Sequence, residues 1–171
     1  ISEFYLSDSA FTCADSGVNN VTFFARDVSG NVGSALTTIT VYDTTSPIVV
    51  LASNTFYLDS NGQFTLTPAD VDGGTSDNCA IANLSIDTSF FDCDAVNQSF
   101  LITLTAIDVS GNFTIDTVSI TIEDSIAPVV NTQNVLIALD SFGDAQISVS
   151  DVNTGVSDAC GVDSIWLSAS I

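Results

Sequence analysis

The sequence predicts an all-β chain built as antiparallel β-sandwiches in tandem, with a repeat of 81 residues. Three observations predict it. The pentapeptide DVSGN stands at residues 27–31 and again at 108–112. Its neighbours follow the same step: YDTTSPIVV (42–50) maps onto EDSIAPVVN (123–131), LDSNG (58–62) onto LDSFG (139–143), and ADVDGGTSDNC (69–79) onto SDVNTGVSDAC (150–160). Apolar residues alternate with period 2 over short runs bounded by Gly, Asp and Asn, the pattern of half-buried strands. A constant self-similarity period marks a tandem architecture, because each unit then repeats one supersecondary plan.

The register places the second half of a repeat at 1–46, a complete repeat at 47–127 and the first half of the next at 128–171. FYLSDS (4–9) also matches IWLSAS (165–170), so the stretch overlaps itself and is expected to belong to a longer array.

Element by element, the earlier half-repeat places Val21, Phe23 and Ala25 on one strand face and Ile39 and Val41 on the next, with Arg26 on the outward phase. DVSGN between them is a hairpin turn, since Gly accepts the positive φ that such turns require. In the complete repeat, TFYLD and QFTLT flank a second hairpin turn at 59–62. Thr67-Pro68-Ala69-Asp70 suits a single helical turn, with Thr67 as N-cap and Pro68 at the first helical position. After the polar loop to Cys79, AIANLSID (80–87) reads as a strand with Ile81 and Leu84 toward the core. SFLITLTAID (99–108) turns inward Ile102, Leu104 and Ala106; VSITIED (118–124) does the same with Val118, Ile120 and Ile122. About seven short strands per repeat and no long helix indicate tandem immunoglobulin-like antiparallel β-sandwiches.

Composition narrows the function. Of the chain, 46% is hydrophobic, enough for a core, yet no apolar run reaches the length of a membrane span. There are 21 acidic residues against one basic residue and no His, giving a formal net charge of −20. Such a surface repels phosphate backbones and anionic lipid, so neither nucleic acid nor membrane insertion is expected. Without His or Lys there is no imidazole base and no amine nucleophile, and no enzyme is expected. The acid is nearly all Asp, 19 residues against 2 Glu, which suits turns and caps better than strand interiors.

Four cysteines follow the repeat: Cys160 repeats Cys79, and Cys13 corresponds to Cys93 with a one-residue difference in the following loop. One disulfide per repeat, Cys79 to Cys93, is the expected pairing, with Cys13 and Cys160 bonded to cysteines outside the stretch. A Cys13–Cys160 bond is the competing arrangement. Zinc is disfavoured by the absence of any CxxC pair and of His. Disulfides imply an oxidising compartment.

The segment from FTC (11–13) through DVSGN to DTTSP (43–47) resembles the second half of a hyalin-repeat (HYR-type) immunoglobulin-like module. Similar modules are tandemly repeated in giant surface adhesins of Bacteroidetes, including gliding-motility adhesins exported by the type IX system. The resemblance spans the chain and rests on the FTC and FDC segments, the DVSGN turns, the D-x-x-x-P junctions and the SDNC and SDAC loops. It implies an extracellular, cell-surface protein that adheres or spaces and does no catalysis.

The expected function is a stalk or filament segment that holds an adhesive tip away from the cell, its partners being neighbouring repeats and, through self-association, other filaments. The alternative is a Ca2+-dependent module that itself grips surface glycan or protein. Tyr5 and Trp166 occupy equivalent positions, but the complete repeat has Ser85 there. The layout of Asp27, Asp43, Asp108 and Asp124 is similar to that of cadherin-type repeats, where carboxylates of adjacent domains share Ca2+. The D-[ST]-(aliphatic or Thr) pattern of Bacteroidetes O-glycosylation occurs at Ser9, Thr44, Thr117, Ser125 and Ser164. N-x-[ST] sequons lie at Asn20, Asn83, Asn97 and Asn112 and matter only in a eukaryotic source.

Overall fold

The computed structural model describes residues 3–168. The chain is all-β: among the described residues, eleven strands are accompanied by two single-turn α-helices and two 3-10 turns. Strands β1 (Glu3–Leu6), β2 (Gly17–Arg26) and β3 (Val32–Val41) form an antiparallel sheet in that order. A second sheet has the order β4-β9-β8-β6, from β4 (Thr55–Tyr57), β6 (Ile81–Ile86), β8 (Gln98–Asp108) and β9 (Phe113–Glu123). Strand β5 (Gln63–Thr65) pairs with β7 (Phe90–Asp92), and β10 (Val129–Thr132) with β11 (Asn153–Ser157). Against the expected antiparallel arrangement, β4 runs parallel to β9, with Thr55 opposite Thr121. The chain between them is long enough to return in the same direction, which a hairpin is not.

Local chemistry sets the elements. Both DVSGN segments are hairpin turns, as expected, with Gly30 at φ 89° and Gly111 at φ 91°. Helix α1 (Pro68–Val71) starts where Thr67 donates its N–H and hydroxyl to Asp70 Oδ2 at 2.8 and 2.7 Å. Helix α2 (Val149–Val152), 81 residues on, starts with the same pair of bonds from Ser148 to Asp151, both 2.7 Å.

The chain divides into two compact units. The first comprises residues up to 51 with 72–85 and 104–116. Its buried side chains include Val21, Leu104, Ala106 and Asp108. The second comprises 52–71, 86–103 and 117 onward, with Leu58, Leu66, Val71, Phe91, Ile102, Ile120 and Ile122 buried. Stacked Phe56 and Phe64, 4.9 Å between centroids, and the pair Phe91–Phe100 at 5.0 Å extend that core. The inward faces read from the alternation of β8 and β9 are thus buried, while Ile81 and Leu84 are only half-buried. Phe23, placed inward by the same alternation, is 42% exposed. These units cut the chain differently from the sequence register, because each collects segments from two successive repeats.

The disulfides follow the units and overturn the expected pairing. Cys13 is bonded to Cys79 and Cys93 to Cys160, and no described cysteine is free. Neither the Cys79–Cys93 bond nor a Cys13–Cys160 bond forms. Cys79 lies in the first unit and Cys93 in the second, whereas Cys13 and Cys79 fold together. Spacing could not distinguish the alternatives: the SDxC loop can meet the FxC segment of its own repeat or of the preceding one, and either choice gives one bond per repeat. The separations of 66 and 67 differ by the single residue by which the loops after Cys13 and Cys93 differ. Two disulfides place the chain in an oxidising environment. No helix among the described residues is long and apolar enough to cross a membrane.

Candidate functional site

The four aspartates expected to share Ca2+ fall into two kinds. Asp27 and Asp108 are occupied within their own turns. At each, Oδ1 accepts the N–H groups of the residues two and four further on, at 2.8–2.9 Å, and Oδ2 accepts the Asn Nδ2 at 2.8 Å. The same Asp-x-x-Gly-x turn recurs at Asp59 and Asp140. These bonds lower the carboxyl pKa values below the ordinary range: the Asn31 side chain leads at Asp27, the Gln63 N–H at Asp59 and the Asp144 N–H at Asp140. At Asp108, only 2% exposed, burial pushes upward, but the Asn112 side chain and turn N–H groups outweigh it.

Asp43 and Asp124 behave differently. One carboxylate oxygen of Asp43, one of Asp77 and the Cys79 Sγ lie within 4.8 Å of one another. The same holds for Asp124, Asp158 and Cys160, each 81 residues further on. Both sulfurs are in disulfides and are not thiolate ligands, so each cluster offers two carboxylates. In the first cluster, Asp43 Oδ1 accepts the Thr45 N–H at 3.0 Å and Asn78 Nδ2 at 3.2 Å, while Asp77 Oδ2 accepts the Cys79 N–H at 2.8 Å. Asp43 Oδ2 and Asp77 Oδ1 are buried and accept no hydrogen bond. A cleft of about 320 Å3 lies alongside, lined by Phe11, Thr12, Tyr42, Asp43, Asn78 and Cys79 among others. Two desolvated carboxylate oxygens without donors fit a hard cation, and Ca2+ takes such oxygens together with carbonyls and water. Asp77 and Asp158 were missed as candidates because they lie 34 residues from Asp43 and Asp124 in sequence, with only the repeated SDxC motif to mark them.

The junction itself is clamped. Asn112 Nδ2 donates to the carbonyls of Asp43 and Thr45, each at 3.2 Å, as well as to Asp108. Thr114 Oγ1 donates to the Pro47 carbonyl at 2.7 Å. The DVSGN turn at 108–112 therefore does two things: it joins two strands and it holds the 43–47 segment.

No family model and no curated protein matches this chain.

Proposed function

We propose that the chain is a stalk segment of a large repetitive cell-surface adhesin, made of tandem immunoglobulin-like sandwiches that space an adhesive tip from the cell. The observation that carries this reading is the Cys13–Cys79 disulfide, which ties one sequence repeat covalently to the next. The clamp from Asn112 and Thr114 onto residues 43–47 supports it, because a linker so hydrogen-bonded is no loose tether. The charge of −20 keeps such a segment soluble and opposes side-by-side collapse. Neighbouring repeats are its main partners, and lateral association into filaments would use strand edges or glycans. Ser9, Thr44, Thr117, Ser125 and Ser164 are all exposed, as O-glycan acceptors must be. Small-angle scattering on two-, three- and four-repeat proteins tests the reading. The maximum dimension is expected to grow linearly with repeat number; a dimension that stays flat would reject it.

A second reading, a Ca2+-dependent binding or stiffening module, is favoured by the orphaned oxygens of Asp43 and Asp77. Asp43 and Asp77 would hold the ion, which would neutralise the two facing carboxylates. Extracellular modules of this kind bind at roughly 10⁻⁴–10⁻³ M. Millimolar Ca2+ is then expected to raise the melting temperature, EDTA to reverse the rise, and Asp77→Asn to abolish it. A melting temperature indifferent to Ca2+ and EDTA would remove this reading and leave the stalk reading untouched.

A further inference from the structure

The connectivity of the disulfides has a mechanical consequence. Cys13 joins Cys79 and Cys93 joins Cys160, with separations of 66 and 67 residues. Tension applied to the two ends of the chain follows the shortest covalent route. That route runs from the N-terminus to Cys13, crosses to Cys79, follows the chain to Cys93, crosses to Cys160 and continues to the C-terminus. We infer that the two disulfides form a force bypass, which removes residues 14–78 and 94–159 from the load path.

The bypass takes most of the fold out of tension. Both long hairpins, β2–β3 and β8–β9, lie within the shielded loops, as do β4, β5 and the helix α1. With them go the buried Ile102, Leu104, Ile120 and Ile122. Between the two crossings only residues 79–93 carry load. They contain β6, at one edge of its four-stranded sheet, and β7, one strand of a two-stranded sheet. Pulling can therefore detach these strands and straighten them to a span of at most roughly 50 Å, at about 3.3–3.6 Å per residue for the 14 steps from Cys79 to Cys93. It cannot draw out the central strands. They can still open thermally, but such opening adds no length, because the disulfide spans the loop.

The magnitudes separate the bypass from the expected Cys79–Cys93 pairing. Fully extended, 171 residues span roughly 560–620 Å. Along the bypass only about 37 residue steps remain, roughly 120–135 Å, to which the crossings add Cα–Cα distances of 5.3 and 5.1 Å. A Cys79–Cys93 bond would leave the chain more than roughly 500 Å long, because it short-cuts only those 14 steps. The bypass itself rests on connectivity; its use in limiting the stretch of a stalk rests on the function proposed above.

Single-molecule force extension of the full chain, held at both ends, tests it. The oxidised chain is expected to stop lengthening near 130–145 Å, roughly a quarter of the length reached after reduction with tris(2-carboxyethyl)phosphine. The double variant Cys13→Ser/Cys79→Ser retains one bypass and should stop near roughly 340–375 Å. The limit is covalent, so once the bond has formed it holds in denaturant. An oxidised chain that extends beyond roughly 200 Å without reductant overturns the inference. Scattering that refutes the stalk reading would leave these lengths unchanged, so the two failures are distinguishable.

Discussion

At the residue scale, the environment of a glycine can be read against its copy 81 positions on. Gly62 and Gly143 both hold positive φ, 72° and 86°, in Asp-x-x-Gly-x turns. An L side chain in that region costs about 1–2 kcal/mol. A Cβ at Gly62 would also lie 2.5 Å from the Cys93 Sγ and 3.3 Å from both Ala159 Cβ and Cys160 Sγ. A disulfide sulfur cannot swing aside as a flexible side-chain end can. At Gly143 a Cβ meets nothing within 4 Å. Gly143→Ala is therefore expected to lower stability by about 1 kcal/mol and Gly62→Ala by about 3 kcal/mol or more. Chemical denaturation of the two variants checks this; equal losses would mean that Gly62 is not packed against the Cys93–Cys160 bridge.

At the element scale, the turn between β8 and β9 carries more than its hairpin. Its amide, Asn112 Nδ2, serves Asp108 Oδ2 and the carbonyls of Asp43 and Thr45. The equivalent Asn31 Nδ2 bonds Asp27 Oδ2 at 2.8 Å. Asn112→Ala leaves the buried Asp108 short of a donor and releases the 43–47 segment. It is expected to cost about 2–3 kcal/mol, against about 1 kcal/mol for Asn31→Ala, whose Asp27 is less buried. Amide hydrogen exchange should show faster exchange around residues 43–47 in Asn112→Ala alone. Protection there equal to that of the unaltered chain would reject the clamp.

At the scale of the whole molecule, the distributed carboxylates set the pH response. Asp15, Asp27, Asp59, Asp72, Asp87, Asp108, Asp140 and Asp151 all have depressed pKa values in the fold. A depressed folded pKa means that the unfolded chain binds the proton more readily. Its stabilising contribution is complete above the unfolded value, near 3.9, and is lost as pH falls through the folded value. Relief of self-repulsion among 21 acidic groups acts in the opposite sense as they protonate. The turn and cap bonds are local and numerous, so the balance favours loss. The melting temperature is expected to hold from pH 7 to about 5 and to drop below about pH 4. A melting temperature that rises steadily to pH 3 would show that repulsion, not turn bonding, dominates.

Much of this protein is settled by local sequence. Alternation in 99–108 and 118–124 identifies Ile102, Leu104, Ala106, Val118, Ile120 and Ile122 as core, because strand periodicity alone decides which face a side chain takes. DVSGN determines its hairpins and Thr67-Pro68-Ala69-Asp70 its helical turn, because their hydrogen bonds close within a few residues. What sequence could not decide is long-range and symmetric under the repeat. A partner one repeat away has the same residue types as a partner in the same repeat, so spacing leaves Cys79 free to choose Cys13 or Cys93. The meeting of Asp43 with Asp77 is of the same kind, whereas the parallel β4–β9 pair is long-range within the 47–127 repeat. Only the packing of segments from successive repeats into one compact unit brings Cys13 to Cys79 and Asp43 to Asp77, and that packing determines the covalent path through the chain.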